Sequence, residues 1–149
     1  MIDGHIGLYT PQAARAVGPT GTVIVFEPAS EYFRLLKRNV EANGYRNVSL
    51  VARAVSDHSG SELLIVSPDN TGDNRLADSP VGKNVVNVKT VSLDDYFAGE
   101  YPSVDVIKMD VQGSEPLAYA GARGLIAAND ELTLFTELSN GHISNERMR

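Results

Sequence analysis

A short apolar run that ends in an acidic residue, Val23-Ile24-Val25-Phe26-Glu27-Pro28, constrains this chain more than any other feature. Four apolar residues without a polar break fit a strand buried on both faces, as in a parallel sheet. Upstream lies Asp3-Gly4-His5-Ile6-Gly7, and a short helix follows it. A Gly-bearing turn lets a ligand approach the backbone, and a carboxylate at a strand end accepts hydrogen bonds from ribose hydroxyls. Turn, helix, strand and carboxylate in that order are the layout of a nucleoside-cofactor half-site.

The rest of the chain repeats the alternation. Thr10-Pro11 opens the first helix, with Thr10 as its cap and Pro11 at the first helical position, and Gly18-Pro19 stops it. Ser30 is the candidate cap of a second helix whose Phe33, Leu36 and Val40 fall at helical spacing; Asn43-Gly44 ends it. Val48 to Val55 reads as the next strand, although its alternation gives no clean face. Ser61 to Ser67 and Val85 to Val91 read as strands around a turn cluster, Asp69 to Asn74, and form an antiparallel excursion at a sheet edge. Ser92 starts a short helix over Leu93 to Phe97, with Asp94 and Asp95 in its first turn.

Val104 to Met109 is a buried strand that ends in Asp110. Gly113-Ser114-Glu115-Pro116 starts a helix to about Ile126, and Leu132 to Leu138 is a last strand carrying Glu137. Strands alternating with helices predict a doubly wound, mostly parallel α/β sheet of Rossmann type with right-handed crossovers. In such sheets ligands sit beyond the carboxyl ends of the strands. Glu27, Asp110 and Glu137 all occupy such ends, and Asp3-Gly4 follows the remnant of a first strand.

Composition narrows the chemistry. The 149 residues suit one domain, and the net charge of −6 argues against a nucleic-acid partner, which needs clustered Lys and Arg. No cysteine is present, so disulfides, zinc-thiolate sites and a Cys nucleophile are excluded. No apolar run approaches the roughly 20 residues that span a bilayer, and no signal peptide is visible. The expectation is a cytoplasmic chain without a membrane partner. No metal site is expected: Asp69, Asp73 and Asn74 lack the spacing of a calcium loop, and His58 and His142 read as surface residues. The fingerprint G-x-G-x-x-G is absent, which counts against a nicotinamide-dependent oxidoreductase.

With these residues in hand, the chain resembles the FkbM-type S-adenosylmethionine-dependent methyltransferases. The matching pieces are the segment from Ile2 to Thr10, Phe26-Glu27-Pro28, Asn39 to Asn43, Val91 to Asp95, and Val106-Ile107-Lys108-Met109-Asp110-Val111-Gln112-Gly113-Ser114-Glu115. They run in family order over nearly the whole chain. The resemblance implies a Rossmann-like class I methyltransferase domain over residues 1–138 and a polar C-terminal tail over 139–149. It implies S-adenosylmethionine as cofactor, held by Asp3, Gly4, His5 and Gly7 on the methionine side, Glu27 and Pro28 at the ribose, and Ala54 near the adenine. Asp110 would lie at the methyl-transfer centre, with Lys108, Gly113 and Glu115 around it.

The implied reaction is methyl transfer by in-line displacement onto a hydroxyl of a small molecule or sugar. The candidate catalytic residues are Asp110, Lys108 and His5, since the hydroxyl must lose a proton. Alternatives remain open at several of them. Lys108 can equally form a salt bridge with Asp110 or Glu137, Glu115 reads as a first-turn helix residue, and the glycines can simply fit a strand to a helix. The chain also departs from the family pattern: the first loop is shorter by two residues, and Gln112 replaces an acidic residue. The first strand is nearly missing, and the final hairpin is absent. A cofactor-fold module with impaired catalysis is therefore the rival expectation, and a second copy of the chain is the expected cover for open sheet edges.

Overall fold

A computed structural model describes residues 1–67, 74–77 and 84–136. The elements are α1 (Thr10–Ala16), β1 (Val23–Phe26), α2 (Ser30–Ala42), β2 (Val48–Val51), β3 (Ala54–Val55), β4 (Gly60–Ile65) and β5 (Arg75–Ala77). They continue with β6 (Val85–Val91), α3 (Leu93–Tyr96), β7 (Val106–Met109), α4 (Glu115–Ala120), α5 (Arg123–Ala127) and β8 (Thr133–Thr136). The result is an α/β fold with one parallel and one mixed sheet.

The parallel sheet is organised around Ile2. β1 pairs with β2 and β7 pairs with β8, all in parallel. Ile2 bridges Phe26 of β1 and Met109 of β7, also in parallel. Ile2 N–H donates to the Lys108 carbonyl at 2.8 Å, and Phe26 N–H donates to the Met1 carbonyl at 3.0 Å. Ile2 thus joins two strand pairs, giving the lateral order β2, β1, Ile2, β7, β8. β1 is buried on both faces, as its unbroken apolar run predicts. Val23 and Val25 pack with Ala14, Leu36 and Val40 under α1 and α2. Phe26, from the opposite face, packs with Ile2, Ile107, Met109, Ala118 and Leu125.

The antiparallel excursion forms as expected. β4 lies antiparallel between β6 and β5, and β6 is tied to β3 in parallel. Val48 to Val55, however, is not one strand. Arg53 N–H turns back onto the Val51 carbonyl, so Val48–Val51 joins the parallel sheet and Ala54–Val55 joins the mixed one. A segment shared between two sheets has no single face, which explains its irregular alternation.

Three further expectations are corrected. Thr10 and Ser30 are the first helical residues and not caps; Tyr9 and Ala29 hold the cap positions without side-chain bonds. The buried stripe of α2 is Tyr32, Leu36 and Val40, with Phe33 only half-buried. The helix after Ser114 breaks at Gly121-Ala122. Asp94 takes the N–H groups of Gly124 and Leu125 at 2.9 Å each, which restarts the chain as α5. The Ser92 cap of α3 is as expected, accepting from Asp95 N–H at 3.0 Å. β7 starts at Val106, with Ile107 and Met109 buried and Val106 exposed, and β8 is exposed along its whole length. The expected turn at residues 69–73, Glu137, His142 and the tail 139–149 lie outside the described residues. Among the described residues, no helix is long and apolar enough to cross a membrane.

Candidate cofactor site

The loop that leaves the parallel sheet at Asp3 lies tightly on β1 and α2. A Cβ on Gly4 would sit 2.4 Å from Val25 Cγ1, and one on Gly7 would sit 2.9 Å from Leu36 Cδ1. Gly7 also has a φ of +88°. Both glycines are thus required by packing, and Gly7 by turn geometry as well. Asp3 and His5 adopt left-handed conformations with φ of 67° and 44°. Such residues cost on the order of 1 kcal/mol or more unless their surroundings hold them.

Glu27 supplies much of that hold. It is 1% exposed at the end of β1. One carboxylate oxygen accepts the His5 N–H at 2.7 Å, and the other accepts the Ala29 N–H at 2.8 Å. Glu27 and Asp3 directly follow Phe26 and Ile2, which are bridged in parallel register, so the two carboxyl-bearing residues stand side by side. Burial, and then the bond and charge of Asp3, push the Glu27 carboxyl up to about 9. Burial first, with the charge of Asp110 added, raises Asp3 as well.

Beside this pair opens a pocket of about 410 Å³, part of it open solvent. Four of the predicted cofactor residues line it: Asp3, Glu27, Pro28 and Ala54. Its walls are largely apolar, formed by Ile2, Phe26, Val55, Leu64, Leu76 and Val111. The apolar walls and the few convergent polar groups are the chemistry of a small-molecule site. Sequence reasoning missed Leu64 and Leu76, because their place depends on the mixed sheet folding back over the strand ends. Arg53, the residue before Ala54, also lines the pocket.

The other predicted residues are near the pocket without lining it. The His5 ring packs on Tyr32 at 4.7 Å between centroids, and its Nε2 is buried without a hydrogen-bond partner. Lys108 and Asp110 face the same side, as two residues in one strand should, and their side chains meet at 3.2 Å. Gln112 donates to the second Asp110 oxygen at 2.9 Å. Lys108 Nζ also lies 5.1 Å from the Tyr9 ring centroid. Glu115 is buried and accepts the N–H groups of Val111 and Gly113 at 3.0 and 2.8 Å, so it holds the turn after β7. This is the structural role read from its sequence position.

One cluster escaped the sequence analysis. Asp57, His58 and Glu62 bring possible ligand atoms within 4.8 Å of one another on the surface. His58 Nδ1 is 2.7 Å from Asp57, and the Ser56 hydroxyl donates to Glu62 at 2.6 Å. Hydrogen bonding to His58 lowers the Asp57 carboxyl below its usual value. These pairings account for the group as a polar network outside the pocket.

The chain is thus an α/β protein with a carboxylate pair and an apolar pocket at the strand ends of its parallel sheet. The methyltransferase FkbM domain family matches residues 2–148, and the chain belongs to that family. Methyltransferase 1 of Beauveria bassiana (strain ARSEF 2860) is 26% identical over 132 residues, covering 75% of this chain and 53% of that protein. The crystal structure of methyltransferase FkbM from Methylobacillus flagellatus KT is similar with a TM-score of 0.56 and 19% identity, covering 89% of this chain and 31% of that one. At that identity the likeness concerns the fold. The chain spans about half the length of the curated relative.

Proposed function

We propose that this chain binds S-adenosylmethionine in the pocket beside Asp3 and Glu27 and methylates a hydroxyl of a small molecule or sugar. The fold is then a doubly wound, Rossmann-like sheet, a reading supported by the parallel order β2, β1, Ile2, β7, β8. The observation that carries the proposal is the position of Glu27: a buried carboxylate at the end of β1, lining a pocket that Ala54 also lines. The donor set fits the cofactor. A nucleoside needs acceptors for its ribose diol and apolar walls for its base, and both are present.

The cofactor supplies an activated methyl group. The protein supplies the rest: Glu27 accepts the diol, the apolar walls exclude water, and the Asp3 loop fixes one side of the site. Asp110 lies next to that loop, since it follows Met109, which is bridged in parallel to Ile2 just before Asp3. It retains lone pairs beyond those used by Lys108 and Gln112, and so it can accept a hydroxyl proton.

A specific observation favours a second reading, a cofactor-binding module without turnover. Both Asp110 oxygens already have donors from the chain itself, Lys108 Nζ and Gln112 Nε2. Isothermal titration with S-adenosylmethionine and S-adenosylhomocysteine tests the shared premise. Binding that weakens at least about tenfold in a folded Glu27→Gln variant is expected, the loss of one charged hydrogen bond. Transfer of labelled methyl to hydroxyl acceptors then separates enzyme from module. No binding by a folded wild-type chain would refute both.

A further inference from the structure

We propose that Asp3 and Glu27 hold one proton between them in the ligand-free chain and release it when the cofactor binds, so that Asp3 sets the charge of the ribose-binding carboxylate. The inference rests on the cofactor reading above but concerns a property that the reading does not require.

Geometry carries it. Asp3 and Glu27 directly follow Ile2 and Phe26, which are bridged in parallel register, so the two residues stand side by side, and both line the same pocket. Ionised carboxylates offer only acceptors, so a hydrogen bond between two of them demands a proton. Two like charges sharing a buried site cannot both ionise without a large penalty. The two Glu27 oxygens also take the His5 and Ala29 N–H groups, which holds Glu27 against Asp3 and fixes the pair. The proton belongs to the pair and not to either residue.

The surroundings do not remove it. From the loop, His5 favours ionisation of Asp3; from the end of β7, Asp110 opposes it. Lys108 is engaged by Asp110 at 3.2 Å, and Arg53 lines the pocket from the segment after β2. Among the described residues, neither Asp3 nor Glu27 is in an ion pair. Burial is the first cause of the upward displacement of both groups.

A ribose diol donates hydrogen bonds, and these favour the ionised carboxylate. Binding therefore expels the proton, and affinity rises with pH until the pair titrates by itself.

Two measurements decide the matter. The first needs no ligand: carbon-13 carboxyl resonances are followed against pH in the wild type, Asp3→Asn and Glu27→Gln. One carboxyl protonated at pH 7 in the wild type is expected, with the remaining Glu27 titration moved to lower pH in Asp3→Asn; two ionised carboxyls at pH 7 in the wild type, or a Glu27 titration that Asp3→Asn leaves in place, overturn the proposal. The second is calorimetry with S-adenosylhomocysteine at pH 7 in buffers of different ionisation enthalpy. Release of about one proton per ligand by the wild type, and less in Asp3→Asn, is expected. Binding without proton release overturns the coupling and leaves the cofactor reading intact. Absence of binding by a chain whose carboxyls titrate as expected overturns the cofactor reading, and the release with it, while the shared proton stands.

Discussion

Glu27 accepts the backbone N–H of His5 at 2.7 Å, so a residue at the end of β1 fixes the loop that starts at Asp3. Its other oxygen accepts the Ala29 N–H at 2.8 Å, where α2 begins. Glu27→Ala leaves both donors without an acceptor. An unmade bond at a buried donor costs about 1–3 kcal/mol, and relief of the buried carboxyl offsets part of it. The expected net loss is about 2 kcal/mol in urea unfolding, with faster amide exchange at His5 and Ala29. Unchanged exchange at His5 would show that the loop is held by its packing on Leu36 instead.

The same carboxyl makes stability depend on pH. Burial and Asp3 raise Glu27 from 4.5 to about 9. The folded chain therefore binds more protons than the unfolded chain between those values, and stability from this group falls as pH rises through the window. The buried Met1 amino group, displaced downward to about 5 by desolvation and then Lys108, acts in the opposite direction between about 5 and 8. The difference between wild type and Glu27→Gln removes the Met1 contribution. That difference in unfolding free energy should shift steadily against the wild type from pH 5 to pH 9, and a flat difference would refute the raised carboxyl.

What the sequence made legible follows from local chemistry. The apolar run of β1, the Ser92 cap and the strand-end position of Glu27 are each decided by a few neighbouring residues, and the structure keeps them. The family pattern likewise brought Ala54 and Pro28 to the pocket beside Asp3 and Glu27. The split between β2 and β3 was hidden, because it depends on which sheet each half joins. The break at Gly121 was hidden for the same reason: its cause is Asp94, far away in sequence. Leu64 and Leu76 enter the pocket only through the antiparallel pairing of β4 with β5, which no local signal encodes.

Gly121 marks a close approach that no larger residue allows. A Cβ there would lie 2.1 Å from the Ser56 carbonyl oxygen and 2.9 Å from Ser92 Cβ. The Gly121 carbonyl also accepts the Asp94 N–H at 2.9 Å, which anchors the start of α3. Gly121→Ala must push the end of α4 away from the segment after β3 that carries Ser56, against backbone that cannot rotate aside. Overpacking of this kind costs about 1–3 kcal/mol or more, and it should exceed any gain in helix propensity. The denaturation midpoint should fall accordingly, whereas Gly44→Ala, with nothing near its Cβ, should lose stability only through its φ of +69°.

The pairing of Lys108 with Asp110 decides what Asp110 does in the reaction. Lys108 Nζ sits 3.2 Å from one oxygen and Gln112 Nε2 2.9 Å from the other. If Asp110 accepts the acceptor's proton, Asp110→Asn lowers kcat by about a hundredfold to ten-thousandfold, and Lys108→Met, which removes one of the two donors that orient the carboxylate, lowers kcat with a smaller effect on KM. If the pair only positions the turn after β7, Asp110→Asn leaves kcat within a few-fold, and Lys108→Met does the same. Methyl-transfer rates for the two variants, resolved into kcat and KM, separate these outcomes, since a purely structural pair has no route by which removing Lys108 could slow the chemical step while substrate binding is kept.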